Sequence, residues 1–278
     1  MKAIRLRTEY LQDPSGIDIL RPRLFWNCEG GIRQTAYEIT AANDAGETIW
    51  RSGKVQSSSM HCTWGADPIP PKTKVIWQLR LWDENDTCGD WSEATFETGI
   101  DVWSAKWITG NYMANPLKRY PVDCFRKCFD TKDIAKARLY ITACGVYEAK
   151  LNGQRCGSFI LAPGVTDYRK RVQYQTIDVT DLLVSGKNTL QVQLADGWYR
   201  GSCGAWGLKN QYGMQTKLLA QLEITKTDGS VQTILSDESW DWSNDGPIRF
   251  ADNKDGEIVD ANLQPSYQIG RASCRERV

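Results

Sequence analysis

Aromatic and basic side chains are clustered between two glycines in the second half of the chain. Gly197 and Gly201 enclose this run, and the candidate set comprises Trp198, Tyr199, Arg200, Trp206 and Asp167. An apolar wall with a few fixed polar groups is typical of small-ligand sites, and aromatic rings stack on the apolar faces of sugars. The set therefore indicates carbohydrate binding. The alternative is that Trp198 packs against the end of a β-sandwich and Arg200 pairs with a carboxylate such as Asp167.

Three acidic side chains, Asp255, Glu257 and Asp260, follow one another closely after the segment Ala251–Lys254. Inverting hydrolysis of a glycosidic bond needs an acid and a base roughly 6.5–9.5 Å apart, on opposite sides of the sugar. Acidic residues so close in sequence more often form a solvated turn or a contact between domains, so we assign no catalytic residue here. Because hard cations bind carboxylate and carbonyl oxygens, a calcium site is the alternative, and no other cofactor is expected.

Charge and histidine content exclude several classes of function. The chain has 34 basic and 34 acidic residues, so its formal net charge is zero. Neither nucleic acid nor an anionic membrane is therefore an expected partner. His61 is the only histidine, which argues against a Ser-His-Asp triad, a Cys-His protease and a multi-histidine zinc site.

The N-terminus and the cysteines predict a cytoplasmic protein. The segment Met1–Glu9 mixes charged and apolar residues and lacks the continuous apolar run of a secretory signal. No apolar run approaches the roughly 20 residues that a membrane span requires. The 9 cysteines are scattered without Cys-x-x-Cys pairs, which favours free thiols in a reducing compartment.

Short segments of alternating apolar and polar residues dominate the chain, and long helical periodicity is nearly absent. In the segment Val75–Trp82, the side chains of Val75, Trp77, Leu79 and Leu81 would share one face of a strand. We therefore predict an all-β protein made of two antiparallel β-sandwiches, the first over residues 1–100 and the second, jelly-roll-like, over residues 103–265.

The first sandwich resembles a fibronectin type III module. The residues that support this resemblance are Pro22, Leu24, Trp26, Tyr37, Ile39, the run Trp77–Asp83 and the segment Trp91–Gly99. We interpret its tryptophans as core residues, with Trp64 as the one candidate for a sugar-stacking ring.

Turn signals organise the second sandwich. The pair Asn152-Gly153 predicts a tight β-hairpin, because both central residues of such a turn take positive φ. Thr227–Ser230 predicts another hairpin, and Asp178–Leu183 a short helical turn.

Residues 103–265 resemble the N-terminal β-sandwich module of bacterial α-L-rhamnosidases. The matching stretches, in the order of the family, are Tyr140–Glu148, Leu151–Gly153, Leu161–Tyr168, Val172–Thr176, Asp178–Asp181, Gly197–Gly201 and Asp255–Ala261. Val165 stands where the family usually has Trp, and Val259 replaces a common aromatic residue. Both departures weaken the expectation of stacking contacts at those positions.

The resemblance implies an enzyme that removes terminal α-L-rhamnose from rhamnose-containing glycosides with inversion. In that family a pair of acidic residues in an (α/α)₆ barrel, further along the chain, performs catalysis. No stretch of the present sequence matches that barrel. The chain is therefore expected to be an inactive N-terminal fragment whose partners are rhamnosides and its own catalytic domain. Related modules bind rhamnose near calcium, which agrees with the acidic set described above.

Two alternatives remain open at the level of sequence. One is a stand-alone carbohydrate-binding module, and the other is a pair of structural spacers that supports a catalytic domain. The final segment, residues 269–278, shifts in composition and shows no strand or helix pattern. We interpret it as a non-native tail derived from a sequencing adapter.

Overall fold

The computed structural model describes residues 1–263 and 272–274, and the chain divides into two compact units, Met1–Val102 and Trp103–Val278. Strands dominate both units, which confirms the predicted all-β class. Within the described part of the chain, the helical segments are the single turn α1 (Gly197–Arg200) and a 3₁₀ turn at Thr180–Leu182. None of the helices found there is long and apolar enough to cross a membrane.

The first unit is a sandwich of two sheets. One sheet has the order β1-β3-β7, and the other has the order β2-β9-β8-β4-β5, with β6 paired to β4. All pairings are antiparallel except that of β2 with β9. The strands are β1 (Lys2–Thr8), β2 (Ser15–Ile17), β3 (Arg23–Glu29), β4 (Ala36–Asn43), β5 (Thr48–Arg51), β6 (Val55–Gln56), β7 (His61–Thr63), β8 (Lys74–Trp82) and β9 (Ser92–Thr98).

Strand β8 supplies the centre of this sandwich, because its side chains alternate between the core and the outer face. Val75, Trp77, Leu79 and Leu81 are all fully buried, as the period of two predicts. Trp64 is also buried in this core, and its indole nitrogen donates to the carbonyl of Asp67 over 2.9 Å. Trp64 therefore does not present a ring to a sugar.

The second unit is a larger sandwich. One sheet has the order β15-β12-β17-β10-β22, with β18 on β17; the other has the order β14-β13-β16-β11-β19, and β20 pairs with β21 in a hairpin. The strands are β10 (Ile108–Thr109), β11 (Asp123–Thr131), β12 (Ile134–Cys144), β13 (Val146–Leu151), β14 (Gln154–Arg155), β15 (Gln175–Asp178), β16 (Gly186–Ala195), β17 (Lys217–Lys226), β18 (Val231–Leu235), β19 (Asp241–Ser243), β20 (Ile248–Asp252), β21 (Gly256–Val259) and β22 (Ser273–Cys274). The sheets enclose a core that includes Ile141, Leu194 and Trp240.

The Asn152-Gly153 pair forms the predicted hairpin turn between β13 and β14. Both residues have positive φ, 52° and 83°. The Asn152 amide donates to the carbonyl of Leu182 and to Asn188 Oδ1, and its oxygen accepts the backbone N–H of Thr189. Asn152 is therefore a structural residue. The predicted hairpin between β17 and β18 and the short turn at Thr180–Leu182 are present as well.

Part of the final segment takes part in the fold. The backbone of Ser273 and Cys274 pairs with Thr109 and Ile108, and Ala272 is buried in the core. Backbone pairing over two residues needs no alternating pattern, so the sequence gives no sign of this strand. The other residues of the segment 269–278 lie outside the described residues, and its origin as an adapter-derived tail stays a prediction.

Candidate functional site

The helical turn α1 connects the end of β16 to a long loop, and its glycines are required by close packing. Gly197 has φ of 52°, and a Cβ there would approach Val146 Cγ2 to 2.5 Å. A Cβ on Gly201 would approach Asp252 Oδ2 to 2.3 Å. The two glycines therefore let α1 lie against β13 and the β20–β21 hairpin, and they do not serve to expose the rings between them.

Tyr199 points into the molecule and anchors this loop. Its ring packs edge-on against Tyr168, with centroids 5.3 Å apart, and Tyr168 lies 5.1 Å from the ring of Tyr212. The Tyr168 hydroxyl donates to the carbonyl of Gly164. Because Tyr168 and Gly164 belong to the Leu161–Tyr168 stretch, this cluster joins two of the motifs that the sequence singled out. Trp198 is half-buried at the edge of the same cluster.

Arg200 is buried in a network of polar groups. Its Nε and Nη2 donate to Asp196 Oδ1 over 2.8 and 2.6 Å, and its Nη1 donates to the hydroxyl of Tyr112. The guanidinium also lies 5.2 Å from the ring centroid of Tyr120. Only 4% of Arg200 is exposed, so this guanidinium is not presented to a ligand in solution.

A second carboxylate, Asp123, completes this buried network. It is fully buried and accepts hydrogen bonds from Thr216 Oγ1, Trp242 Nε1 and the Tyr112 hydroxyl over 2.6, 3.0 and 3.3 Å. Burial raises the pKa of both Asp123 and Asp196, and the charge of Arg200 opposes that rise. Burial also acts against the charged form of Arg200, but Asp196, Tyr112 and Asp123 together outweigh it and raise the pKa of the guanidinium. One cation therefore stabilises two buried carboxylates.

Asp255 links three segments on the surface above this network. Its Oδ2 accepts the Ser202 hydroxyl over 2.9 Å and lies 3.2 Å from both Arg119 Nη2 and Lys209 Nζ. The hydrogen bond from Ser202, followed by the contact with Lys209, lowers the pKa of this carboxyl. We define the loop end of the second unit as residues 110–120, 201–216 and 252–257, the segments that Asp255 holds together.

Five large apolar side chains project from two loops of the loop end. The amide of Asn210 donates to the carbonyl of Pro116, and that of Gln215 donates to Gly110 and Tyr112, so the two loops are neighbours. The apolar rim consists of Met113, Leu117, Trp206, Leu208 and Met214, with exposed fractions of 91, 92, 91, 61 and 46%. Exposed apolar patches with a polar surround mark interaction sites.

A cavity of about 250 Å³ is lined in part by the segment 252–257 of the loop end. Val146, Leu161 and Gly197 form its apolar side, and Asn253 and Glu257 supply polar groups from the β20–β21 hairpin. Asp252 borders the cavity, but its carboxylate accepts the backbone N–H groups of Ser202, Lys254 and Asp255. Asp252 therefore shapes the hairpin and is not directed at a ligand.

The predicted carbohydrate set is dispersed by the fold. Asp167 binds Arg169, which lowers the pKa of its carboxyl, and Arg200 pairs with Asp196 where the alternative interpretation named Asp167. Tyr199 and Arg200 face inward, and Trp206 is the one member of the set that is almost fully exposed. A contact with sugar stays a prediction, and its geometric support is confined to Trp206.

The three members of the predicted calcium set interact with different partners. Asp255 contacts Arg119 and Lys209, and Asp260 Oδ1 accepts the backbone N–H of Asn262. Glu257 lies on β21, where it pairs with Ala251 and borders the cavity. In the part of the chain that the structure describes, no group of three or more His, Cys, Asp or Glu side chains could hold a metal ion. Calcium binding stays a prediction.

The sequence alone does not reveal the partners of Arg200 and Asp255. Asp196 stands four residues before Arg200, a spacing that signals an ion pair on a helical turn. Asp123 and Tyr112 lie far away in sequence, and no local signal indicates them. The role of Asp255 as a link between loops was likewise hidden, because its partners come from two other segments.

Two family models match the chain. The model of the α-L-rhamnosidase N-terminal domain matches residues 132–269. The model of the Rha78A-like, N-terminal immunoglobulin domain matches residues 3–101. Immunoglobulin and fibronectin type III domains share the sandwich architecture, which agrees with the two sheets of the first unit.

The relatives that match this chain are longer than it. An α-L-rhamnosidase of Formosa agariphila is 36% identical over 285 residues, which cover 92% of this chain and 30% of the relative. The crystal structure of an α-L-rhamnosidase from Aspergillus terreus, 32% identical, superposes on 100% of this chain and 34% of its own with a TM-score of 0.91. The Streptomyces avermitilis α-L-rhamnosidase, solved in complex with L-rhamnose, is 25% identical, with a TM-score of 0.83 over 99% of this chain and 45% of its own.

The present chain thus spans about a third of the first two of these relatives. The matches of both family models, the identity to named enzymes and the superposition agree with one another. The chain therefore has the N-terminal immunoglobulin-like domain and the N-terminal domain of the α-L-rhamnosidases, and it belongs to that family.

Proposed function

We propose that the chain is the non-catalytic front part of an α-L-rhamnosidase. The parent enzyme removes terminal α-L-rhamnose from glycosides with inversion, and its acid and base lie in an (α/α)₆ domain beyond these two domains. The observation that supports this most is the identity of 36% over 92% of the chain to an α-L-rhamnosidase of which it covers only 30%. The free thiols of the described cysteines support a reducing compartment, and we propose the cytoplasm.

The loop end of the second unit is the surface that supports the catalytic domain in this proposal. Its apolar rim is exposed, and its segments are held together by the contacts of Asp255, next to the buried Arg200 network. A surface that is already ordered loses little conformational entropy on association. The occupant is the remainder of the rhamnosidase chain, which makes up about two thirds of the length of the first relatives.

The chain alone is expected to show no rhamnosidase activity. The test is hydrolysis of 4-nitrophenyl α-L-rhamnopyranoside by the 278-residue chain, with a complete α-L-rhamnosidase as positive control. The buried carboxylates Asp123 and Asp196 are engaged with Arg200 and with internal donors, so they are not available as an acid and a base. Turnover above the uncatalysed rate that follows the protein through purification would overturn this assignment.

The second candidate is a carbohydrate-binding module, favoured by the 91% exposure of Trp206. Isothermal titration calorimetry with L-rhamnose, with and without calcium chloride, distinguishes the two. The supporting role predicts that any heat is unaffected by calcium, by Trp206→Ser and by Asp255→Asn. Heat that requires calcium and disappears in both variants would instead assign sugar and calcium binding to the loop end.

A further inference from the structure

A short turn in the first unit has a strained backbone and carries an aromatic ring. Thr8 and Leu11 exchange two backbone hydrogen bonds of 2.9 Å, so Glu9 and Tyr10 are the central residues of a two-residue hairpin turn. Both have positive φ, 48° and 68°. Such turns are normally made by Asn-Gly or Asp-Gly, since left-handed backbone is unfavourable for other residues. Strain of this kind persists where the surrounding structure imposes it, and it is frequent at ligand-binding sites.

The strained turn places Tyr10 over the outer face of the sheet β1-β3-β7. The Tyr10 ring stacks on Phe25 with centroids 4.3 Å apart, and Phe25 stacks on His61 at 5.9 Å. Leu24 and Trp26 face the core on either side of Phe25, so the stacked rings belong to the solvent side of β3. Tyr10 keeps 59% of its surface exposed although it contacts a neighbouring ring. We call Tyr10, Phe25 and His61 the ring platform.

Charged and hydroxyl groups border the ring platform. The Arg23 guanidinium lies 5.0 Å from the Tyr10 ring centroid and binds Glu9 through Nε and Nη2. Glu9 also accepts the backbone N–H of Arg23, so the carboxylate is tied to β3. Burial acts to raise the pKa of Glu9, but the hydrogen bonds from Arg23 outweigh it and lower the pKa. Thr63 lies opposite Arg23 on β7, so its side chain lies on the same face of the sheet as that of Arg23.

From these features we propose that the ring platform is a binding site for pyranose units of an oligosaccharide. A pyranose has an apolar C–H face that stacks on an aromatic ring and hydroxyls at its edge that pair with guanidinium, carboxylate and hydroxyl groups. Planar rings with such groups at their border match this chemistry. The proposal is independent of the role of the loop end, because it concerns the first unit alone.

Replacement of Tyr10 separates binding from folding. Tyr10→Gly removes the exposed ring and also relieves the left-handed strain, because glycine adopts positive φ readily. We therefore expect the variant to melt no lower than the unmodified chain and to bind at least tenfold more weakly. The measurement is calorimetric titration of the full chain with cellohexaose and with a rhamnogalacturonan hexasaccharide, which distinguishes D-glucose units from L-rhamnose-containing units.

Ile32→Ser is the matched control, since Ile32 is 89% exposed in the same unit and lies outside the ring platform. It should leave the affinity unchanged. The proposal is overturned if the unmodified chain binds neither oligosaccharide at millimolar concentration, or if Tyr10→Gly binds as tightly as the unmodified chain. Self-association that Tyr10→Gly abolishes, without sugar binding, would also overturn it by assigning the ring platform to a protein contact.

Discussion

Replacing Arg200 by methionine is expected to destabilise the second unit by about 3–5 kcal/mol, the range for removing one partner of a buried ion pair. Methionine fills much of the space of the arginine stem, so the loss of stability comes from removal of the positive charge. Asp196 and Asp123 would remain buried without the cation that faces them. Denaturation in guanidinium chloride, followed by circular dichroism, measures the change in the free energy of unfolding.

Arg249→Met is the control, because Arg249 and Asp245 form a pair with the same spacing of four residues at 3.1 Å, but with both side chains partly exposed. Surface pairs of this kind contribute about 0–1 kcal/mol. Similar losses in the two variants would contradict the account of the buried network.

The pH dependence of the Arg200 variant adds a readout that loss of packing alone would not change. Burial raises the pKa of Asp123 and Asp196, and Arg200 opposes the rise. Without Arg200 both pKa values should rise further, so the carboxyls take up protons in the folded state at higher pH. A carboxyl whose pKa is higher in the folded state than in the unfolded state stabilises the fold fully only below its unfolded-state pKa. That stabilisation is lost as the pH rises through its folded-state pKa. The destabilisation of Arg200→Met relative to the unmodified chain should therefore be smaller at about pH 5 than at about pH 7.5.

Trp206→Ser is expected to weaken association of the chain with the separately produced remainder of the parent enzyme by about 30-fold or more. A buried aromatic residue at an interface commonly contributes 2 kcal/mol or more, and about 1.4 kcal/mol corresponds to a tenfold change in affinity. Trp206 is the largest side chain of the apolar rim and makes little contact with its own unit, since it is 91% exposed. Surface plasmon resonance measures the dissociation constants.

Val231→Ser is the control for that experiment, because Val231 is 56% exposed on β18, away from the loop end. It should leave the dissociation constant within a factor of about two, since surface substitutions away from an interface have small effects. If the remainder of the enzyme binds the Trp206 variant and the unmodified chain equally well, the apolar rim is not the docking surface.

Local patterns predicted the scaffold well, because they arise from interactions between near neighbours. The alternation in β8 places Val75 and Trp77 in the core, and the Asn152-Gly153 pair closes its hairpin, since in each case the physical cause lies within a few residues. The motifs of the Leu161–Tyr168 and Gly197–Gly201 stretches predicted the family, which both family models confirm.

The candidate site was less predictable, because its partners are distant in sequence. Arginine is common at ligand-binding sites, but a helical turn directs Arg200 towards Asp196 and brings it to Tyr112, 88 residues earlier. The sequence around Tyr10 gives no turn signal, since Glu9 and Tyr10 are poor residues for positive φ. Both features depend on tertiary contacts that override local preference.

The sequence of the gene beyond the codon for residue 268, where the predicted adapter-derived tail begins, decides whether this chain is the front part of a longer rhamnosidase. We expect an open reading frame that continues for roughly twice the length of the present chain, because the chain covers about a third of these relatives. We expect that continuation to encode an (α/α)₆ domain with a pair of acidic residues. A stop codon directly after the codon for residue 268 would contradict the proposed function, since the loop end would then have no catalytic domain to support.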